Sequence, residues 1–307
     1  MHMFQELFEA AIVGGGPAGL SAALTLGRAR RSTVIIDHHK PRNKMVRHSH
    51  GFLTRDGLSP REFRELAKEE LKKYPSVRFI NDEVVDVRRN HKIFQVTTKN
   101  GVLETKKMLF ATGLVDVLPE IDGFDAVYGI SAFICPYCDG WEFRDKPIAI
   151  IGHQLADFHF VKALYGWSHD VALFTNGKYN LDDSLRQAFQ QKNIPVFEEK
   201  IHKLWHSDGQ LQAIELESGQ TVARSGIFFN PKTQQSSLIP KKLGVPMDQL
   251  GQFITKEDGK TNIDGLYIAG DSRNHLHQII HAASDGAKAA VSINMELLKE
   301  AWDEVGL

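Results

Sequence analysis

Ala10-Ala11-Ile12-Val13-Gly14-Gly15-Gly16-Pro17-Ala18-Gly19 is the stretch that decides the fold of this chain. A short apolar run stops at glycine, and Gly14, Gly16 and Gly19 then occupy the three positions of a G-x-G-x-x-G loop. In such a loop the first glycine permits a tight turn, and the second lets backbone N–H groups approach a pyrophosphate. The third lets the following helix pack close to the strand. Residues 20–26 read as that helix, with its N-terminus toward the anion. Residues 32–37 read as a second strand, and Asp37 at its end can hold a ribose hydroxyl. Three glycines alone would be a weak signal; with both strands, the helix and the terminal acid they make a dinucleotide-binding βαβ unit.

Outward from this unit, residues 40–57 are irregular and rich in His, Arg and Asn, His50 among them. They read as a loop that wraps a nucleotide or is simply solvated. Ser59-Pro60 caps an amphipathic helix over residues 61–73. Strands follow at 77–80, 83–88, 93–98 and 102–105, with Asn100-Gly101 as a hairpin turn. A further strand over 107–110 runs into the small-residue turn Ala111-Thr112-Gly113. Residues 119–123 read as a hinge.

A second βαβ pattern begins at Pro147: strand 147–152, helix 155–167, strand 170–174. Its phosphate loop is Gly152-His153-Gln154-Leu155-Ala156-Asp157. Gln154 stands where the second glycine belongs, and Asp157 puts a negative charge close to where a pyrophosphate would lie. After the next strand, residues 175–182 offer Lys178 and no arginine for a 2′-phosphate. The pattern is that of a nicotinamide domain with eroded binding chemistry. Short strands over 196–226, a strand leaving the domain at 226–233, a strand ending in Gly270-Asp271 and a helix over 277–301 complete the chain. His277 and His281 lie one turn apart on that reading. Without a third ligand they suggest a helix end beside a cofactor rather than a metal pair.

Composition narrows the function. Lys and Arg number 37 against 38 Asp and Glu, so neither nucleic-acid nor membrane-surface binding is expected. The apolar runs are too short to span a bilayer. Residues 1–6 lack the basic and apolar regions of a signal peptide, and two cysteines do not make a disulfide-stapled secreted protein. A cytoplasmic protein is expected.

Those two cysteines stand in Cys135-Pro136-Tyr137-Cys138-Asp139-Gly140. A Cys-x-x-Cys pair can close a small disulfide ring, and a thiolate there can act as a nucleophile. A structural zinc site would need a second close pair of ligands, which the sequence lacks. Asp139 is placed to protonate a leaving thiolate.

Taken together, the glycine loop at 14–19, Ala-Thr-Gly at 111–113, Cys-x-x-Cys-Asp at 135–139 and Gly-Asp at 270–271 resemble the low-molecular-weight thioredoxin reductase family of flavoproteins. The resemblance covers nearly the whole chain. It implies two Rossmann-like (three-layer ββα) nucleotide-binding domains, the second inserted in the first. Residues 1–117 and 245–307 would bind FAD, and residues 118–244 would carry the cysteines. It implies FAD contacts from Gly14, Gly16, Pro17, Ala18, Asp37, His50, Ala111, Thr112, Gly113, Gly270 and Asp271, with His277, Gln278 and Ile279 at the flavin ring. Cys138 would be the flavin-proximal thiol, Cys135 the exchange thiol and Asp139 the acid, in a homodimer whose domains swivel near Pro119 and Asn230. The eroded second loop, with the 50–57 stretch, looks more like the dithiol oxidase branch, similar to enzymes that close disulfides in gliotoxin- and holomycin-type natural products. On that resemblance His281 offers a base for the incoming thiol.

Three readings follow. The first is an FAD dithiol–disulfide oxidoreductase with little or no NADPH use, acting on a small dithiol or thioredoxin-like protein, with oxygen or a donor such as ferredoxin as its other redox partner. The second is an NADPH-dependent thioredoxin reductase with an atypical loop. The third is a non-enzymatic redox sensor.

Overall fold

The computed structural model describes residues 2–152, 157–177 and 181–304. The apolar run that opens the sequence is the end of β1 (His2–Val13), the glycine loop leads into α1 (Pro17–Arg28), and β2 (Thr33–Asp37) returns beside β1 in parallel. Then come α2 (Pro60–Leu71), β3 (Val77–Asn81), β4 (Val84–Asn90), β5 (Ile93–Thr98) and β6 (Gly101–Phe110). Ser59 caps α2 as its sequence suggests, its hydroxyl accepting from the Glu62 N–H at 3.1 Å.

The sequence reads as two strands over 102–110, but the structure has one. One edge pairs parallel with β1 along its length, while the other pairs antiparallel with β5 in its first half and parallel with the late strand Leu266–Ile268 in its second. The change of partner sits at the point where the pattern suggests a break. The resulting seven-stranded sheet runs β3-β2-β1-β6-β5-β4, with Leu266–Ile268 against β6. In register, Val13 lies beside Ile36 and Phe110, and Phe110 beside Ile268. The loops that follow these strands therefore leave one edge of the sheet together, at the carboxyl ends of its parallel strands, where open α/β sheets bind ligands.

The chain crosses to the second sheet through β7 (Leu114–Val117), α3 (Phe124–Val127) and β8 (Ala132–Phe133). Cys135 stands at the N-cap of α4 (Pro136–Asp139), and Cys138 lies within it. After it come β9 (Ile148–Ile151), α5 (Phe158–Leu164), β10 (Val171–Phe174), α6 (Asp183–Gln191) and β11 (Val196–Phe197). An antiparallel trio, β12 (Ile201–Ser207), β13 (Gln210–Leu216) and β14 (Thr221–Ala223), leads into β15 (Gly226–Phe229). The second sheet is parallel throughout, in the order β11-β10-β9-β15-β8. Its central strands are buried on both faces, as their continuous Ile, Ala, Val and Phe runs require.

Return is by β16 (Lys232–Gln235), which pairs antiparallel with β7 so that both crossings form one ribbon. Ile239, in α7 (Ile239–Lys242), already packs in the first domain's core with Phe8, Val87 and Phe253. Leu243, Val245 and Met247 pack in that core as well. β17 (Leu266–Ile268) and the long α8 (Ile279–Glu304) finish the first domain. A side chain at Gly286 of α8 would collide with the Ala18 carbonyl of α1, so these helices meet backbone to backbone. Among the described residues, no helix is long and apolar enough to cross a membrane.

Candidate active site

One cleft gathers most of the residues singled out in the sequence. Gly14, Gly16, Pro17, Ala18, Asp37 and His50 line it, as do Ala111, Thr112, Gly113, Gly270, Asp271, His277, Gln278 and Ile279. Cys135, Cys138 and Asp139 line the same cleft. The glycine loop is built for close approach. Gly14 has φ +108°, and a Cβ there would collide with the Ala111 carbonyl, so loop and Ala-Thr-Gly turn touch through backbone. Gly15 lies against Asp37, whose Oδ2 would be 2.7 Å from an added Cβ. Gly16 differs: its backbone is extended (φ −80°, ψ −178°), and nothing lies within 4 Å of where its side chain would stand. Alanine would be tolerated there by the protein itself, so the open space belongs to what the loop binds.

The far wall is held by Asp285 of α8, which is buried. It accepts from the Gly270 N–H and from Asn274 Nδ2, both at 2.8 Å, and pairs with Arg273. Gly270 and Asp271 are thereby fixed at the end of β17. Two buried polar atoms on the walls, Thr112 Oγ1 and His277 Nε2, find no protein partner. Such atoms are costly unless a ligand meets them. The glycine cradle, Asp37, Asp271 and these two orphan atoms fit a flavin dinucleotide lying along the cleft. Burial holds the His277 imidazole below its ordinary range, partly opposed by Asp271.

At the other end, Cys135 and Cys138 are joined in a disulfide, with Cα atoms 5.2 Å apart. The ring closes because α4 is one turn long: the Cys138 and Asp139 N–H groups both donate to the Cys135 carbonyl at 3.1 Å. Trp167 packs over Gly140, where a side chain would meet the indole at 3.1 Å. Gln278 Nε2 stands 3.9 Å from Cys138 Sγ, so the second cysteine faces the segment that precedes α8. The Asp139 carboxyl is pushed up to about 7, by burial first and then by the neighbouring Glu142 carboxylate.

His281 does not join this cleft. It is exposed and lines a separate shallow hollow with Asn274, His275, Leu276, Ser284, Asp285 and Lys288. The helix begins at Ile279 and not at 277, so His277 lies in the extended lead-in while His281 sits on the outer face of the first turn.

In the second domain, Gln154 and Lys178 lie outside the described residues. Gly152 and Asp157 are described. Asp157 is buried, its Cβ would be 2.6 Å from a Cβ on Gly152, and Asn230 Nδ2 donates to its Oδ1 at 3.4 Å.

Sequence reasoning missed Arg42, Asp116 and Tyr128. Arg42 grips Asp116 with two N–H···O bonds (2.8 and 2.5 Å) and reaches Asp271 Oδ2 at 3.1 Å, while the Tyr128 hydroxyl donates to Asp116 at 2.6 Å. This chain of contacts ties the cleft wall to β7 and to the inserted domain. Only the arginine-rich character of residues 40–57 hinted at it.

Comparison with known proteins agrees with the architecture. A family model described as pyridine nucleotide-disulphide oxidoreductase matches residues 8–286. A protein of Arthroderma benhamiae named probable thioredoxin reductase is 30% identical, over 96% of this chain and 82% of its own length. A crystal structure from Bacillus anthracis described as putative thioredoxin reductase TrxB superposes with a TM-score of 0.92 at 36% identity, covering 96% of this chain and 99% of the other. The crystal structure of HlmI does so with a TM-score of 0.93 at 32% identity, covering 99% and 96%. With the disulfide and the dinucleotide loop on one cleft, this chain belongs to the pyridine nucleotide-disulphide oxidoreductase family, as a thioredoxin reductase-like, flavin-dependent disulfide oxidoreductase.

Proposed function

We propose that this enzyme is an FAD-dependent dithiol–disulfide oxidoreductase that works with little or no NADPH. The observation that carries the redox reading is the shared cleft: the Cys135–Cys138 bond opens onto the space framed by Gly16, Thr112, Asp271 and His277. Bound there, FAD would supply a two-electron acceptor next to the sulfur couple. Gly14, Gly16, Pro17, Ala18, Asp37, His50, Ala111, Thr112, Gly113, Gly270 and Asp271 would hold it, with His277, Gln278 and Ile279 at the ring. Cys138, beside Gln278, takes the flavin-proximal role, and Cys135 exchanges with the partner. Asp139, protonated near neutrality, gives its proton to the departing thiolate. The partner is a small dithiol or a thioredoxin-like protein, and oxygen or a donor such as ferredoxin closes the cycle. We place the enzyme in the cytoplasm, on its composition.

The low use of NADPH rests on Asp157. A buried carboxylate folded against Gly152, at the mouth of the second phosphate loop, repels the pyrophosphate that a nicotinamide dinucleotide would bring there. Anaerobic titration of the FAD-loaded enzyme tests this. NADPH is expected to leave the flavin yellow while a small dithiol bleaches it. Rapid bleaching by NADPH would instead make the enzyme an NADPH-dependent thioredoxin reductase.

A homodimer is supported by α8. Val291, Met295, Leu298 and Trp302 recur at helical spacing on its outer face and are 55%, 60%, 47% and 67% exposed. A second copy laid against this stripe would cover it.

A further inference from the structure

The functional reading leaves Glu142 and Asp56 without a role, although they stand in one row of titratable groups with Asp139 and His50. The row starts at Asp139 in the wall of the cleft and runs outward. Glu142 lies three positions on in the next helical turn, a spacing that puts two side chains on one face. Although its side chain is 41% exposed, its Oε2 is buried with no protein partner. His50 reaches across from the first domain, its Nε2 3.6 Å from Glu142 Oε1 and its Nδ1 3.6 Å from Asp56 Oδ1. The Asp56 side chain is 71% exposed to solvent. Loop geometry fixes this placement. Gly51 and Gly57 both have positive φ, the Gly51 N–H donates to Asp56 Oδ1 at 2.8 Å, and Ser49 and Leu58 close a bridge at 2.9 Å. Nothing in cofactor binding requires a carboxylate–imidazole–carboxylate row leading away from the flavin end of the cleft.

The chemistry of the couple does require a route for protons. Reduction of Cys135–S–S–Cys138 takes two electrons and two protons and yields two thiols. In exchange, an incoming thiol R–SH forms R–S–S–Cys135, the Cys135–Cys138 bond breaks, and Cys138 leaves as HS–Cys138. A second partner thiol then releases HS–Cys135 as the partner disulfide closes, so the partner gives up both electrons and both protons. When the couple is oxidised again, two electrons and two protons leave it. Asp139 can accept or give one of these protons at each step, but it is half-buried in the cleft wall and must be reset.

We propose that Glu142 and His50 form a proton wire between Asp139 and the solvent-exposed Asp56, with His50 as the shuttle across the domain boundary. This rests on the dithiol–disulfide reading above and goes beyond it by giving Glu142 and Asp56 relay roles and His50 a second role beside its place on the cofactor cleft. A separation of 3.6 Å is within ion-pair range but too long for a hydrogen bond, so a turn of the imidazole or one bridging water completes each link. Imidazole suits the task because its two nitrogens can take a proton on one side and release one on the other. The Asp139 carboxyl, raised to about 7 by burial and by Glu142, exchanges protons with such a group at little cost. The charged and titratable groups facing this row include Glu142 and Lys146 on its own segment, Lys146 Nζ donating to the Glu142 carbonyl at 2.8 Å, His48, His50 and Asp56 across the boundary, and Asp271 and His277 among the residues lining the cleft.

The test uses the full FAD-loaded chain, mixed without air with dithiothreitol while flavin absorbance is followed against pH, in light and heavy water and in dilute buffer. His50→Ala is expected to slow bleaching about tenfold or more, to raise the solvent isotope effect, and to be restored by added imidazole. Infrared titration of carboxyl-labelled protein, which needs no turnover, is expected to show the Asp139 midpoint falling by about one unit in Glu142→Gln. A His50→Ala enzyme as fast as wild type, or slowed with no rescue and no change in isotope effect, would make these residues a domain contact and overturn the wire. If dithiothreitol fails to bleach the wild type, the functional reading falls instead. The infrared midpoint then decides alone, and one unmoved by Glu142→Gln overturns the wire.

Discussion

Replacing Asp139 with asparagine has a pH signature that follows directly from its surroundings. The folded carboxyl titrates at about 7, against an ordinary value of 3.8, because burial and Glu142 both disfavour its charge. Between those two values the folded protein keeps a proton that the unfolded chain has released, so stability falls as pH rises across that window. Three units at about 1.4 kcal/mol each put the penalty of carrying ionised Asp139 on the order of 4 kcal/mol, fully present only above the folded value. An asparagine side chain never ionises and escapes it. Urea unfolding should therefore find Asp139→Asn more stable than wild type by about 4 kcal/mol at pH 8, with the difference shrinking to about 1.5 kcal/mol at pH 5 and toward zero only below the unfolded value of 3.8. The same variant should lose the pH dependence of thiol exchange near neutrality. Equal unfolding midpoints at both pH values, or a gap that widens toward acid, would refute the placement of Asp139 in a buried, acid-flanked pocket.

Other outcomes follow from single contacts. Gly16→Ala meets no protein atom, so the FAD-free protein should unfold within about 0.5 kcal/mol of wild type while FAD affinity falls about tenfold or more. Calorimetric titration reads the second effect, and undiminished affinity would move the pyrophosphate away from this loop. Tyr128→Phe leaves the buried Asp116 carboxylate one donor short and should cost about 1–3 kcal/mol in thermal unfolding. A neutral result would mean that the contact between β7 and the insert carries no weight. Light scattering should find wild type dimeric, as proposed, and Met295→Glu, which puts a charge in the exposed stripe of α8, monomeric. A dimeric variant would put the interface elsewhere.

The parts of this site that are legible in the sequence are those that fold locally. The glycine loop, Asp37, Ala111-Thr112-Gly113 and Gly270-Asp271 each stand at or just after the end of a strand, and parallel pairing of those strands assembles them without any further instruction. The cysteine ring is equally local, closing within one turn. What escapes depends on distance in the chain. Arg42 meets Asp116 across 74 positions, and neither residue stands in a pattern that names the other. Helical spacing from His277 puts His281 on the same face, but a helix start two residues later turns it away from the cleft. His50 belongs to a loop whose composition says only that it is polar. Its contact with Asp56 is set within that loop, while its contact with Glu142 depends on how the insert docks. The 102–110 strand reads as two because pattern reports burial and not the identity of the paired strand.

The account turns on electrons reaching bound flavin through Cys138. The direct measurement is anaerobic mixing of FAD-loaded wild type and Cys138→Ser with a small dithiol, recording flavin absorbance. Wild type should bleach, while the serine variant should hold its flavin and stay yellow. Bleaching at the wild-type rate without Cys138 would contradict the account.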